Sequence, residues 1–296
     1  MERRNFLKAS ALSAIAVSAT GFISFSGNGY VGDCETTSDI LGPFYRPGAP
    51  IRSNLLIPGH DGSILNLSGT IYDKDGKTAL NNTLIEIWHA NAKGEYDNTS
   101  PEYNYRGAIK TDQNGNYNFK TILPPPYKYD EIHYRPAHIH FRISSDKKQD
   151  LITQIYFQGD KYNEVDSSAS APDSIHRILP VSKNNKNEND VIFDVILSDS
   201  YALEPLAMQK ITGLYSVNSN KWNAEFIADD DLLILKVNGQ LMETLVYKGN
   251  NEFEGALGFS NAKFTFSHNE NAKVILTYFN SLNEKTVEEG IKILKY

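Results

Sequence analysis

From Ile64 to the end of the chain, no stretch sustains the i, i+3, i+4 apolar spacing of a packed helix. Short alternating or wholly apolar runs follow one another, broken by turn residues. That property restricts the chain to an all-β class. Leu65, Leu67 and Ile71 alternate through a predicted strand that ends at Asp73-Lys74-Asp75-Gly76-Lys77, a hairpin signal. Thr83–Trp88 is a second strand. Ala108–Thr111 and Tyr117–Leu123 flank Asp112-Gln113-Asn114-Gly115-Asn116, whose Asn-Gly pair asks for a tight turn. His138–Ile143, Leu151–Phe157 and Val191–Leu197 complete a first set. The spacing of strands and turns predicts a β-sandwich over residues 35–200.

Between Asn163 and Asn189 the chain is polar, with Ser167-Ser168-Ala169-Ser170 and Asn184-Asn185-Lys186-Asn187, and reads as a long surface loop. A seam falls between Ser198 and Lys210. Residues 211–296 carry their own strands at Ala224–Ile227, Leu232–Val237, Leu241–Tyr247, Phe253–Phe259, Ala262–Ser267 and Val274–Phe279, predicting a small antiparallel β C-terminal domain. In pattern, this half resembles the β module appended to secreted serine hydrolases of the β-lactamase type. It shows no chemistry of its own: His268, its one histidine, falls at a predicted turn.

Residues 1–26 place Arg3, Arg4 and Lys8 ahead of an apolar stretch rich in Ala, Ser, Val and Ile, the layout of an export signal. The string Arg3-Arg4-Asn5-Phe6-Leu7-Lys8 resembles the twin-arginine pattern, which implies export in a folded state to the periplasm or beyond the cell. Whether the segment is cleaved or kept as an anchor is left open; once removed, nothing else asks for a membrane. The single cysteine, Cys34, excludes an intramolecular disulfide framework and a Cys-rich zinc site. Asp33 before it is a poor match to the small residue that lipid processing expects. With 29 Lys and Arg against 36 Asp and Glu, a formal charge of −7 and no basic run, the chain lacks a nucleic-acid surface.

The chemistry concentrates in Tyr127–His140, YKYDEIHYRPAHIH. His138-Ile139-His140 puts two imidazoles at i and i+2, which a strand presents on one face, within reach of one metal ion. Imidazole suits Zn, Fe, Cu and Ni alike, so the pair alone does not choose the metal. Carboxylates nearby are few: Asp130 and Glu131 sit in a predicted loop. Tyrosines are plentiful, 17 in all. Tyr96 follows a Lys93-Gly94-Glu95 turn, and Tyr127 follows Pro124-Pro125-Pro126, a semi-rigid extended approach. A phenol has an unperturbed pKa near 10, so a phenolate at neutral pH needs a strongly charged partner such as trivalent iron. A zinc or iron(II) site using the histidines with a carboxylate such as Glu131 stays open at this level. So does a non-catalytic exported binding module.

Six blocks in order, GPFYRP (42–47), LSGTIYDKDGK (67–77), LIEIWHANAKGEY (84–96), TDQNGNYNFKTILPPPY (111–127), YRPAHIHF (134–141) and LITQIYFQGD (151–160), resemble the intradiol ring-cleavage dioxygenases. This is the family of catechol 1,2-dioxygenase and protocatechuate 3,4-dioxygenase, and the resemblance runs from about Asp39 to Asp160. It implies an iron(III) held by Tyr96, Tyr127, His138 and His140, with Tyr96 staying bound and Tyr127 released when substrate arrives. Arg135 matches the arginine that stabilises negative charge on the bound aromatic, and Gln154 its polar neighbour. The implied reaction takes a small catechol-type molecule and O2 and opens the ring between the hydroxylated carbons, giving a cis,cis-muconate-type diacid. Three features depart from the family pattern. Only a short stretch precedes Gly42, where catechol-type members carry a helical region; this argues against their helical dimer and leaves another homo-oligomer open. Tyr134 stands where Trp is common. The export signal and the C-terminal domain are unusual, and the signal suggests larger or plant-derived catechols as substrates.

Overall fold

Ile139, Phe141 and Ile143 of β10 (His138–Ser144) turn inward to the buried core, together with Ile85 and Ile87 of β5 (Leu84–Trp88). They meet Leu65, Leu67 and Ile71 of β4 (Ile64–Tyr72) and Phe119 of β7 (Asn116–Ile122). Each such side chain contributes about 1.5–3 kcal/mol on burial, and the period-2 pattern therefore fixes which face of each strand turns inward. The computed structural model describes residues 35–293 apart from 60, 202, 204, 230, 231, 257–259, 268, 269 and 280–283. Ahead of these it describes β1 (Val17–Ser18), β2 (Gly21–Ser26) and β3 (Gly29–Gly32). But for β1 and β2, the predicted export signal over 1–26 lies outside the described residues, as do Cys34 and His268.

The first sheet has the order β12-β11-β10-β5-β6, with β6 at Arg106–Lys110, β11 at Leu151–Phe157 and β12 at Ile178–Leu179. The second runs β13-β14-β4-β15, with β7 also paired to β4; β13 is Ser182–Lys183, β14 Asn189–Ile192 and β15 Val195–Ile196. A small hairpin of β8 (Tyr127–Lys128) and β9 (Tyr134–Arg135) stands apart from both. On the outer face of the first sheet the register sets His140 between Trp88 and Gln154, His138 beside Tyr156, and Arg142 between Glu86 and Ile152.

The predicted surface loop over 163–189 is packed instead. It forms a 3₁₀ turn at Pro172–Arg177, then β12 parallel to β11, and it buries Asp166, Ser168, Ala169, Ser174 and Arg177. Its polar residues turn inward because they satisfy one another and the backbone: the Asp166 carboxylate accepts from the amides of Ser168 (3.0 Å) and Ala169 (2.9 Å).

A seven-residue helix, α1 (Pro205–Ile211), leads into the C-terminal domain. Among the described residues no helix is long and apolar enough to cross a membrane. Eight antiparallel strands then close into a barrel: β16 (Gly213–Val217), β17 (Trp222–Asp229), β18 (Leu232–Val237), β19 (Gln240–Gly249), β20 (Glu252–Gly255), β21 (Ser260–Ser267), β22 (Glu270–Phe279) and β23 (Lys285–Lys292). Pairing of β16 with β23 closes it. The interior is filled: Tyr215, Phe226, Phe253 and Phe264 meet edge to face, with centroids 5.0 to 5.9 Å apart. The all-β expectation, a sandwich followed by a small antiparallel domain, is the architecture found. Of the stretch Phe253–Phe259, read as one strand, Phe253–Gly255 falls in β20, and residues 257–259 lie outside the described residues.

Candidate metal centre

The outward row of β10 supplies two of the four candidate ligands. His138 donates from Nδ1 to the Pro136 carbonyl (2.6 Å), which fixes the tautomer and leaves Nε2 as a lone pair 3.1 Å from the Tyr96 hydroxyl. His140 follows on the same face, its ring 4.9 Å from that of His138 and parallel to Trp88 at 4.8 Å and 7°. Two tyrosines close the group. Tyr96 stacks on Phe44 (4.3 Å) and lies 6.0 Å from His140. Tyr127 lies 5.7 Å from Tyr96 and 5.5 Å from His138, centroid to centroid. The structure thus brings together Tyr96, Tyr127, His138 and His140, residues spread over 45 positions of sequence, in one cluster of rings.

Glycine is required at two places around it. Gly94 has φ +81°, and a Cβ there would stand 2.6 Å from that of Tyr127. Gly42, at φ +74°, lies against the His140 ring, where a Cβ would come within 3.1 Å of Cε1. Both turns have the conformation only glycine adopts without strain.

The electrostatics suit a cation. Burial pushes the His138 imidazole down to about 3, with Arg135 and the Pro136 bond as lesser influences. It holds His140 well below the ordinary 6.5, so both rings are neutral donors. Burial also raises Tyr96 well above 10, and Tyr127 rises for the same reason, with Arg135 opposing. Two phenols held neutral by desolvation become phenolates only beside a strong positive charge. His140 Nδ1 is buried without a protein partner. Two imidazoles and two phenols are a hard, mixed N/O set that fits iron(III). Among the described residues no three His, Cys, Asp or Glu side chains gather as a metal group, and Glu131 is exposed on the β8–β9 loop, so the histidine–carboxylate alternative finds no support.

Arg135 pairs across the hairpin with Tyr127, and its side chain is half-buried beside the rings. Asp166 holds Nε at 2.5 Å; Gln154 Oε1 (3.1 Å) and Tyr156 Oη (3.3 Å) accept from its Nη2. Gln154 is itself fixed by donating to the Ile40 carbonyl (2.7 Å). Behind it lies a buried relay: Tyr156 donates to Asp39 (2.9 Å), which is ion-paired with Arg177, both charges fully buried. Tyr134 stacks on Tyr162 at 4.8 Å. Sequence reasoning missed Phe44, Trp88, Asp39, Tyr156, Asp166 and Arg177. The first two stand inside the quoted blocks as aromatics beside a ligand; the last two fall in the stretch read as loop.

The chain is thus a β-sandwich whose outer sheet face carries a cluster of two histidines and two tyrosines beside a tethered arginine. A family model described as Dioxygenase matches residues 40–199, and the chain belongs to the intradiol ring-cleavage dioxygenase family. It is 32% identical over 171 residues to the chlorocatechol 1,2-dioxygenase of Rhodococcus opacus, covering 50% of this chain and 65% of that one. It is 40% identical over 149 residues to the catechol 1,2-dioxygenase of Acinetobacter baylyi, covering 43% and 48%. The crystal structure of catechol 1,2-dioxygenase from Pseudomonas arvilla superposes with a TM-score of 0.51 at 29% identity, covering 58% of this chain and 64% of that one. The chain spans about half to two thirds of the length of these relatives, and the barrel lies beyond the matched segment.

Proposed function

We propose that the chain binds iron(III) through Tyr96, Tyr127, His138 and His140 and cleaves a catechol with O2 between its two hydroxylated carbons, giving a cis,cis-muconate-type diacid. The observation that carries the reading is the convergence of those four rings, two buried and two half-buried, in one cluster beside Arg135. When bound, the ferric ion supplies a Lewis-acidic centre that draws electron density from the diol and opens its ring to O2.

The chain's own residues divide the remaining work. Tyr96 is wedged between Phe44 and the apolar cluster around Trp88, so it is the fixed ligand. Tyr127 sits on a hairpin of only two residue pairs and is the one free to swing; its phenolic oxygen takes a proton from the incoming diol. The Arg135 guanidinium, oriented by Asp166 and Gln154, stabilises the negative charge left on the substrate oxygens. The His138 tautomer is set by Pro136 before any ligand arrives. Residues 1–26 direct export by a twin-arginine route in this reading, and replacing Arg3 and Arg4 by Lys should retain the protein in the cytoplasm.

The test is optical. Chain purified with stoichiometric ferric iron should be burgundy from tyrosinate-to-iron charge transfer, and Tyr127→Phe should shift that band. Catechol turnover should yield a product carrying two additional oxygen atoms. A colourless protein with full iron occupancy refutes the assignment.

A further inference from the structure

The C-terminal barrel meets the sandwich through Gln149, which donates to the Tyr247 carbonyl (3.1 Å), and through a second contact that backs the candidate metal centre. The hairpin of β17 and β18 ends with Asp229 paired to Leu232. Leu232, 1% exposed, belongs to a buried apolar cluster with Leu41 and Trp88, against which Leu241 of the barrel and Tyr96 of the centre are packed. Trp88 in turn lies parallel to His140, its cross-strand neighbour, at 4.8 Å. Asp229 reaches the next outward position of the same strand, accepting from Arg142 Nη1 at 2.7 Å. Arg142 also donates to the Tyr45 hydroxyl (2.8 Å) and pairs with Asp150 (3.1 Å). Read along its outer face, β10 therefore carries His138 and His140 for the centre and Arg142 for the barrel, two residues further on.

We propose that the barrel is a brace for the metal centre: Leu232, through Trp88, and Asp229, through Arg142, are positioning residues that hold the His140–Tyr96 side of the ligand set. A stacked ring keeps its plane only while its other neighbours keep theirs, and packed interiors transmit such constraints because they contain few voids. Trp88 has the sandwich on its backbone side and receives a barrel leucine within the cluster that also contacts Tyr96. Removing that leucine leaves space into which Trp88 can tilt, and His140 with it. The Asp229–Arg142 pair, with Arg142 buried and Asp229 about one third exposed, pins the hairpin so that Leu232 stays seated. The position of the barrel thus becomes a determinant of ligand geometry. The proposal rests on the iron reading above for its functional consequence, but the contact itself does not.

Leu232→Ala and Asp229→Asn in the full chain test it, with Phe264→Leu as the reference. Phe264 lies in the barrel interior, away from the cluster at the seam, so its replacement loosens the barrel without touching Trp88. In iron-free protein the His140 imidazole signals in the NMR spectrum should move in Leu232→Ala and stay in Phe264→Leu. In ferric protein the two seam variants should bind iron about ten-fold more weakly, as loss of groups that orient a ligand typically does, and should shift the visible band. Phe264→Leu should leave both unchanged at a matched loss of thermal stability. Seam variants indistinguishable from Phe264→Leu overturn the brace. So do unmoved His140 signals in Leu232→Ala, whatever the iron result. A wild-type chain that takes up no ferric iron overturns the proposed function, while the His140 signals still decide the brace.

Discussion

Arg177→Met is the sharpest test of how the sandwich stabilises its polar interior. Arg177 and Asp39 are both fully buried and ion-paired, 138 positions apart in sequence. The guanidinium also donates to Thr37 Oγ1 (3.0 Å) and to the Gln154 carbonyl (3.1 Å). Methionine keeps most of the side-chain volume and removes the charge and all three contacts. Asp39 would retain the Tyr156 hydroxyl, the Gln154 amide and the Ile40 amide, but no countercharge. Removing one partner of a buried pair costs about 3–5 kcal/mol, or roughly two to four powers of ten in the folding equilibrium. Adding Asp39→Asn removes the stranded charge, so the double variant should recover part of the loss, with a coupling of about 0.5–3 kcal/mol. Urea unfolding followed by hydrogen exchange at peptides covering β11 reads the sandwich separately from the barrel. A loss below about 1 kcal/mol, the size of an exposed pair, would refute the claim that these charges depend on each other.

Two further outcomes follow from the same geometry. Gly94→Ala must place a Cβ 2.6 Å from that of Tyr127 at φ +81°, so it should disturb the visible band and iron retention more than it lowers the melting temperature; an unaltered spectrum would contradict the close approach. In the iron-free chain the two domains should respond oppositely to acid: burial depresses His89 to about 4 and His138 to about 3, so the sandwich is most stable above pH 6.5 and loses about 1.4 kcal/mol per pH unit per imidazole below it, whereas burial raises Glu243 to about 7, so the barrel is most stable below 4.5 and weakens as pH rises through 7. Calorimetry between pH 7.5 and 5 should show the two transitions moving in opposite directions, and Glu243→Gln should abolish the barrel's shift.

What was legible in the sequence was local. The period-2 run His138–Ile143 places two imidazoles on one face, and the prolines before Tyr127 and the Gly94 turn before Tyr96 announce held side chains. The strand spacing gives the sandwich and a small antiparallel β domain as classes; closure of that domain into a barrel, through β16 and β23, is not written in the spacing. Of the supports of Arg135, Gln154 was named from the family resemblance, but the others were not legible, because they depend on topology: Asp166 and Arg177 come from a polar stretch whose composition is that of a loop, and nothing in Ser167-Ser168-Ala169-Ser170 says that its amides will cap a buried carboxylate. The stacking of Trp88 on His140 depends on the register of β5 against β10, which a one-residue slip would abolish.

One signal in the sequence bears on the barrel. A sheet with one face in water alternates apolar and polar residues, whereas one covered on both faces reads as a nearly continuous apolar run. LITQIYF, in β11, is of the second kind, and all seven of its residues are buried; β10 buries six of its seven. The inward faces of both strands are filled by the second sheet, so the outward faces must be covered by something else. Part of that cover is the stretch around Asp39–Tyr45, which receives the Gln154 and Tyr156 hydrogen bonds and the Arg142 contact. Over Trp88 and Ile152, Leu41 and Tyr45 of that stretch share the cover with Leu232 of the barrel. A sandwich of this sequence without its C-terminal domain would lose part of the apolar cover over an indole and an isoleucine beside its histidines. The continuous burial of β10 and β11 therefore requires both the extended segment before Tyr45 and the barrel hairpin, and ties the second domain to the face on which the chemistry is built.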